Sequence, residues 1–353
     1  MKYLFILIVF TPLCFTEAFS EDSIATALIV KGNVTYLSPG KRNASPLKKG
    51  VKLLKDTSIY VKGKGFAKIK FINSSSMTIG PNSKVAVEMD LSDKTTLVNL
   101  ISGKIRAKVD KNIKNDKKFL VKTSSATMGV RGTEFQITHS PTVKKTSLLT
   151  YNGQVDMKKT KIEGTKDTSI KSVSNHISDL KKDLTLNPTS VNRGDYIRMA
   201  NTDIQKAEKV KINPKQFLLL EKDEKLGAQK MKLTKKEKIS LAKKSKELEK
   251  EFKKDIEKSG GKIRNSLGFI DIDKAVYIPP VDSKNKKYLG KISENGEYIP
   301  PKGVVIDAEK GIVLKARASK KIKNFINKVN KENQVPAEII KKSQNAYERY
   351  FDV

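Results

Sequence analysis

At 353 residues the chain has room for about two domains, and 37% hydrophobic with 31% charged residues and no tryptophan describes modest cores under a very polar surface. A net charge of +33 favours anionic partners such as lipid head groups, lipopolysaccharide or nucleic acid, and equally fits a solvated lysine-rich surface. The only cysteine, Cys14, excludes a disulfide framework.

The first 20 residues read as a secretory signal peptide: Lys2 starts it, residues 3–15 are mostly apolar, and Ala18-Phe19-Ser20 offers a small-x-small cleavage site. Cleavage is expected near Ser20, releasing a protein destined for the periplasm, the outer surface or the medium. Leu13 occupies the place where a lipidated cysteine needs a small neighbour, which argues against a lipoprotein. No later segment reaches the 18 or so continuous apolar residues of a spanning helix, so the mature chain is expected to lack a transmembrane segment.

Residues 24–157 alternate short β-rich runs with turn signals: 27–30, 33–37, 58–61, 66–71, 77–79, 84–88, 97–101, 104–109, 118–122, 133–137, 147–151 and 154–157. Spacing of this kind marks an all-β sandwich, barrel or solenoid. Within 66–71, Ala67, Ile69 and Phe71 share one face and Phe66 and Lys68 the other, as in a half-buried strand. Pro39-Gly40, Gly63-Lys64-Gly65, Gly80-Pro81-Asn82-Ser83 and Asn152-Gly153 supply the glycine and proline positions of tight turns, Asn152-Gly153 being the strongest hairpin signal.

Residues 158–192 are a Thr, Lys and Ser mixture expected to form a β extension or linker. From 193 to 260 the period becomes helical and basic, with Leu241, Leu248, Phe252 and Ile256 on one stripe and Ser259-Gly260-Gly261 as the stop. Residues 266–316 hold an internal repeat: two copies end in Tyr-Ile-Pro-Pro, at 277–280 and 298–301, and a degenerate third spans 305–314. Each reads as a small hairpin whose prolines stop the sheet from continuing. Residues 317–353 return to helical spacing, with a break at Val335-Pro336 between two short basic helices.

The β-rich half resembles the FecR domain, the periplasmic sensor module of bacterial iron-uptake signalling. The resemblance centres on residues 121–135, where Thr123, Ala126, Gly129, Arg131, Gly132, Thr133, Glu134 and Phe135 follow that family's Thr-x-x-Ala, spacer, Val-Arg-Gly-Thr-x-Phe run. It implies a twisted two-layer, solenoid-like sheet of many short strands with protein binding as its work. The signature is expected to be structural, Gly129 and Gly132 permitting a bend and an Arg131–Glu134 pair fixing it. A signal segment stands where sigma regulators of this type carry a sigma-binding domain, so an exported module is expected rather than a sigma regulator.

Catalytic and metal chemistry leaves little trace. The histidines, His139 and His176, are far apart in sequence and read as ordinary loop residues. Neither a Gly-x-Ser-x-Gly elbow nor a phosphate-loop Gly-Lys-Ser/Thr occurs. Asp271-Ile-Asp273 begins like a calcium loop, but Ala275 and Val276 stand where a ligand and a glycine are needed. No cofactor, metal or catalytic residue is expected, although paired carboxylates have no spacing of their own by which a polysaccharide hydrolase could be dismissed. The candidate contacts are Lys235, Lys236, Lys243, Lys244, Lys253, Lys254, Lys320 and Lys321, offered to an anionic envelope component such as lipopolysaccharide, peptidoglycan or a lipid surface. A protein of the envelope is an equal partner class, and nucleic acid is disfavoured. The leading reading is an exported, non-enzymatic binding or scaffold protein of the cell envelope. A signalling component working with a membrane-bound partner comes second, and an envelope polysaccharide enzyme third.

Overall fold

The computed structural model describes residues 23–92, 94–111, 119–160, 173–200, 209–260, 267–280, 290–315 and 319–333. The signal segment and the second C-terminal helix expected from the sequence lie outside them. The first half is strand after strand: β1 (Ser23–Leu37), β2 (Ser45–Pro46), β3 (Lys52–Leu54), β4 (Thr57–Phe71), β5 (Ser76–Ile79), β6 (Ser83–Asp90), β7 (Thr95–Lys108), β8 (Phe119–Lys122), β9 (Ala126–Val130), β10 (Glu134–Ser140), β11 (Lys145–Asn152) and β12 (Gln154–Lys159). Next come α1 (Val173–Thr185), β13 (Thr189–Asn192), β14 (Asp195–Ala200), β15 (Lys209–Lys211), α2 (Pro214–Lys222) and α3 (Lys235–Lys258). Three hairpins follow, β16–β17 (Phe269–Asp271, Val276–Ile278), β18–β19 (Lys291–Ile292, Tyr298–Ile299) and β20–β21 (Val304–Asp307, Gly311–Leu314), then α4 (Lys320–Asn333). The mainly β first half with helices and small hairpins behind it is the architecture expected from the sequence.

Strands β1 to β15 belong to one folded-over sheet. Its organising feature is that β1, β4 and β7 each fuse two runs that the sequence reading separates, with Gly32, the Gly63-Lys64-Gly65 turn signal and Gly103 lying between them. The N-terminal part of β7 pairs with β6 and β8, and the part after Gly103 pairs with β5 and β10. Likewise β4 pairs with β6 through 57–61 and with β5 through 67–70. Each long strand therefore crosses from one layer to the other, and the apolar core between them runs from Ile24 through Phe71, Met77, Ile105, Phe119 and Phe135 to Val155 and Ile197.

A crease runs across these strands. Gly32, Gly63 and Gly103 all have positive φ, at 79°, 63° and 88°. A Cβ on Gly32 would stand 2.7 Å from the Gly65 Cα, and one on Gly103 would stand 2.5 Å from the Ser83 Cα. Polar side chains seal the line: Gly63 N donates to Asn82 Oδ1 at 2.9 Å, and Lys104 N donates to Ser83 Oγ at 2.9 Å. A left-handed glycine serves a tight turn and a bulge that bends a strand equally well, which is why Gly63-Lys64-Gly65 reads as a turn in the sequence.

Two stretches differ from the sequence reading. The expected β extension or linker over 158–192 contains helix α1, whose Ile177 and Leu184 pack on Leu97 and Leu120. Its apolar residues recur at helical spacing inside a Ser/Thr/Lys composition that masks it. The stretch read as helical from residue 193 opens instead with β14 and β15, which continue the sheet beyond β11 and past Met157.

Candidate interaction surface

The signature residues at 123–135 are held from within. The Thr123 hydroxyl accepts from the backbone N–H of Ser125 (3.2 Å) and Ala126 (2.9 Å), closing the turn between β8 and β9, and Ala126 is buried. Gly132 takes the left-handed conformation at φ 59°, where a Cβ would press on Lys111. Gly129 does not share that role, being a β9 residue paired with Leu120 and Asp156. Thr133 Oγ1 lies 2.9 Å from the Arg131 carbonyl and 2.8 Å from that of Gln154, tying this bend to the Asn152-Gly153 turn. Phe135 sits edge-on to Phe119, which is edge-on to Phe71, in the core. The expected Arg131–Glu134 pair does not form. Arg131 is exposed, and Glu134 pairs across the strands with Arg106.

Arg106 is the side chain that sequence reasoning missed. It is buried on β7, and its Nε and Nη2 donate to Glu134 Oε1 at 3.0 and 2.7 Å. Nη1 and Nη2 also reach the carbonyls of Leu220 and Glu221, at 3.0 and 2.7 Å. Those carbonyls belong to the last turn of α2, which carries negative partial charge; Leu220 O already accepts from the Asp223 N–H at 3.1 Å, and the guanidinium adds a second donor there and serves Glu221 O. The same guanidinium lies 4.2 Å over the ring of Tyr151, whose hydroxyl donates to Gln136 at 2.7 Å. Only an arginine fork covers such a set of acceptors at once.

Helix α2 begins as its sequence dictates, with Asn213 capping the N–H groups of Lys215 and Gln216 and Pro214 in the first turn. From it the buried Gln216 reaches the hairpins: its Nε2 donates to the carbonyls of Ile270 (2.7 Å) and Gly296 (3.0 Å), and its Oε1 accepts from Ile270 N (2.9 Å). Gly296 must be glycine, because at φ 82° its missing Cβ would stand 2.8 Å from Leu220 N. Sheet, α2, α3 and the first hairpin thus share one apolar cluster that includes Leu149, Tyr151, Phe217, Leu248, Phe252 and Ile270.

Carboxylates ring this junction. Asp273 pairs with Lys104 at 2.9 Å, so the calcium-like Asp271-Ile-Asp273 stretch is a hairpin turn anchored to the sheet. Burial pushes the carboxyls of Glu221, Asp223, Asp271 and Glu297 above their ordinary values. An acid whose pKa is raised in the folded state is stabilising while protonated, and that contribution is lost as pH rises through the folded value. Glu297→Gln is therefore expected to raise the melting temperature at pH 7, with the gain over the natural chain vanishing once pH falls below the ordinary glutamate range. An equal gain at both pH values would show that the charge of Glu297 is not what costs stability.

Helix α3 is fastened to the same body. Thr234 and Glu237 form a reciprocal capping box at its start. On its inner face Leu248, Phe252 and Ile256 are buried, and the Phe252 ring fills the space over Gly194 in the β13–β14 turn. The buried Lys211 pairs with Asp195 (3.0 Å) and with Asp255 on α3 (3.3 Å), and Arg193 pairs with Glu251 (2.8 Å).

The lysine candidates divide accordingly. Lys235, Lys236, Lys243, Lys244 and Lys254 of α3 and Lys320 and Lys321 of α4 are exposed, whereas Lys253 is half-buried and paired with Glu249 at 2.7 Å. At 100° per residue, Lys236, Lys243 and Lys254 fall on one face with Lys246 and Lys250, which the charge runs alone do not single out. None of these five forms an ion pair with a described residue. No group of three or more metal-ligating side chains occurs among the described residues, and no described helix is long and apolar enough to cross a membrane.

Comparison with known proteins bears on the sheet. Residues 57–156 match the family model described as FecR protein. The chain carries a FecR domain. The match begins with β4 and ends within β12, so β1 to β3, α1 and β13 to β15 flank the matched part of the FecR domain. Two crystal structures of a candidate anti-sigma factor from Parabacteroides distasonis ATCC 8503 are similar at 11% and 13% identity, with TM-scores of 0.35 and 0.32. The similarity covers 47% and 44% of this chain and 64% and 59% of those, less than two thirds of their length. No curated protein sequence matches the chain.

Proposed function

We propose that this is an exported, non-enzymatic binding or scaffold protein of the cell envelope, in which the FecR domain is the rigid mount for a basic docking surface on α3. The observation that carries the reading is the two-faced character of α3. One face is locked to the sheet by Phe252, Leu248 and Ile256, while the opposite one presents Lys236, Lys243, Lys246, Lys250 and Lys254 without ion-pair partners among the described residues. Of the acidic residues of α3, Glu249, Glu251 and Asp255 lie on the flanks, paired with Lys253, Arg193 and Lys211, while the exposed Glu247 borders the lysine face and Glu257 closes its C-terminal end. The signal-like character of residues 1–20 and the lack of recognised catalytic motifs in the sequence support the same reading.

The test is binding of the full chain to envelope fractions, peptidoglycan, lipopolysaccharide and anionic vesicles over a salt series. Each lysine held at an anionic surface contributes about 1 kcal/mol at low ionic strength. Lys236→Glu/Lys243→Glu/Lys250→Glu removes three such contacts and adds three repulsive charges, and is therefore expected to weaken binding by at least about a hundredfold, with raised salt weakening the natural chain in the same direction. Unchanged binding by this variant would refute the surface. Deleting everything beyond residue 231 is not an equivalent test, since it removes Phe252 and Ile270 from the shared core.

The FecR match favours a second reading, an extracytoplasmic signalling component that works with a membrane-bound partner. Co-purification with a sigma regulator or an outer-membrane receptor, retained by the lysine variant, would favour it over docking.

A further inference from the structure

The outward stripe of α3 has a composition as well as a charge. Lys236, Ile239, Lys243, Lys246, Lys250 and Lys254 lie within roughly 80° of the helix circumference, centred about 160° from Phe252. All six are exposed, and Ile239, at 72%, is the most exposed large apolar side chain among the described residues. The stripe runs for roughly 27 Å, bordered by Glu247 about 20° outside it and closed by Glu257 at its C-terminal end.

What the stripe lacks narrows its occupant. It has no arginine, so it offers no planar fork for bidentate recognition of an isolated phosphate or carboxylate. It has no aromatic ring on which a base could stack. What it has is a straight row of flexible ammonium groups flanking an isoleucine that points away from the protein. This arrangement complements a plane of phosphate head groups above a shallow apolar layer, with the lysine stems lying along the boundary.

We infer that α3 lies flat on an anionic phospholipid surface, its lysines on the head groups and Ile239 at the acyl boundary. The inference rests on the docking reading above and names its partner. One apolar side chain anchors weakly, so the attachment is chiefly electrostatic and reversible.

The test exploits the absence of tryptophan from the chain. In the protein from Glu21 onward carrying Ile239→Trp, without the apolar segment 3–15, the new indole is the only one and reports its own surroundings. Mixing with phosphatidylglycerol-containing vesicles is expected to shift its emission to the blue, while pure phosphatidylcholine vesicles and soluble polyphosphate leave it unshifted. Ile239→Ser, with every lysine in place, is expected to weaken vesicle binding about fivefold and polyphosphate binding not at all. Binding of polyphosphate without binding of vesicles, or vesicle binding with no blue shift, overturns the flat-lying helix and leaves electrostatic docking standing. Binding to neither overturns both.

Discussion

Gly194→Ala is expected to cost about 4 kcal/mol of stability and to unseat α3 from the sheet. Two penalties combine. Gly194 has φ 75°, a left-handed conformation that costs a residue with a Cβ about 1–2 kcal/mol. The new Cβ would also stand 2.5 Å from Cε1 of Phe252, whose ring is fully buried and stacked edge-on to Phe217 at 5.5 Å. The ring cannot yield without leaving the core, which is worth about 3 kcal/mol or more for a buried phenylalanine. Urea denaturation measures the total, and amide exchange over 235–258 shows whether α3 is the element released. A double-mutant cycle isolates the mechanism: in a Phe252→Ala background the same change at Gly194 should cost only the backbone part, about 1–2 kcal/mol. Full additivity of the two would show that the ring and the glycine do not meet.

Replacing Arg106 should be comparably severe. Arg106→Met keeps most of the volume but leaves the Glu134 carboxylate and the Glu221 carbonyl without this donor, and the Leu220 carbonyl with the Asp223 N–H alone. Breaking a buried pair by removing one partner costs about 3–5 kcal/mol, mostly through the charge left behind. Glu134→Gln in the same chain removes that charge and is expected to restore part of the loss, the Glu221 carbonyl remaining unserved. Exchange at the last turn of α2 should accelerate in both variants. A loss within the ~0.5 kcal/mol of an ordinary surface substitution would refute the role assigned to Arg106. The two variants probe different fastenings, Gly194 that of α3 and Arg106 that of α2. Only the charge change at Arg106 should alter how stability depends on pH near the carboxylates of the junction.

The strands were legible because each depends on its own side chains. Alternation places Ala67, Ile69 and Phe71 inward whichever strands lie beside them, and the core contains all three. The hairpins at the repeats were equally local, set by a polar turn between two short apolar runs. Helix α1 was not, because Ile177 and Leu184 are too few to outweigh a Ser/Thr/Lys composition until Leu97 and Leu120 are there to receive them. Strand β14 was read as helix for a related reason. Its Tyr196 and Ile197 are both buried, and a strand covered on both faces shows no alternation to read.

The signature at 123–135 was visible as a family run, yet the partner of its glutamate was not. Arg131 is three residues from Glu134 and suggested a pair; Arg106 is 28 residues away and forms it. Sequence separation carries no information about which of two arginines a strand register brings alongside. The lysines of α3 show the same limit. Their number was plain, but the face of the helix that is free depends on Phe252 finding Gly194 across 58 residues of chain.

By itself, the sequence determined the strands, the FecR signature, the hairpin repeats and the excess of positive charge, because these follow from side-chain type and short-range spacing. Only the tertiary structure decided that the glycines of β1, β4 and β7 crease long strands rather than end short ones. It alone showed that Arg106 and Gln216 fasten the C-terminal elements to the sheet, and that one lysine face of α3 is left outward. Each of these turns on an approach between distant segments, where a missing Cβ or a buried acceptor has meaning only once its neighbour is in place.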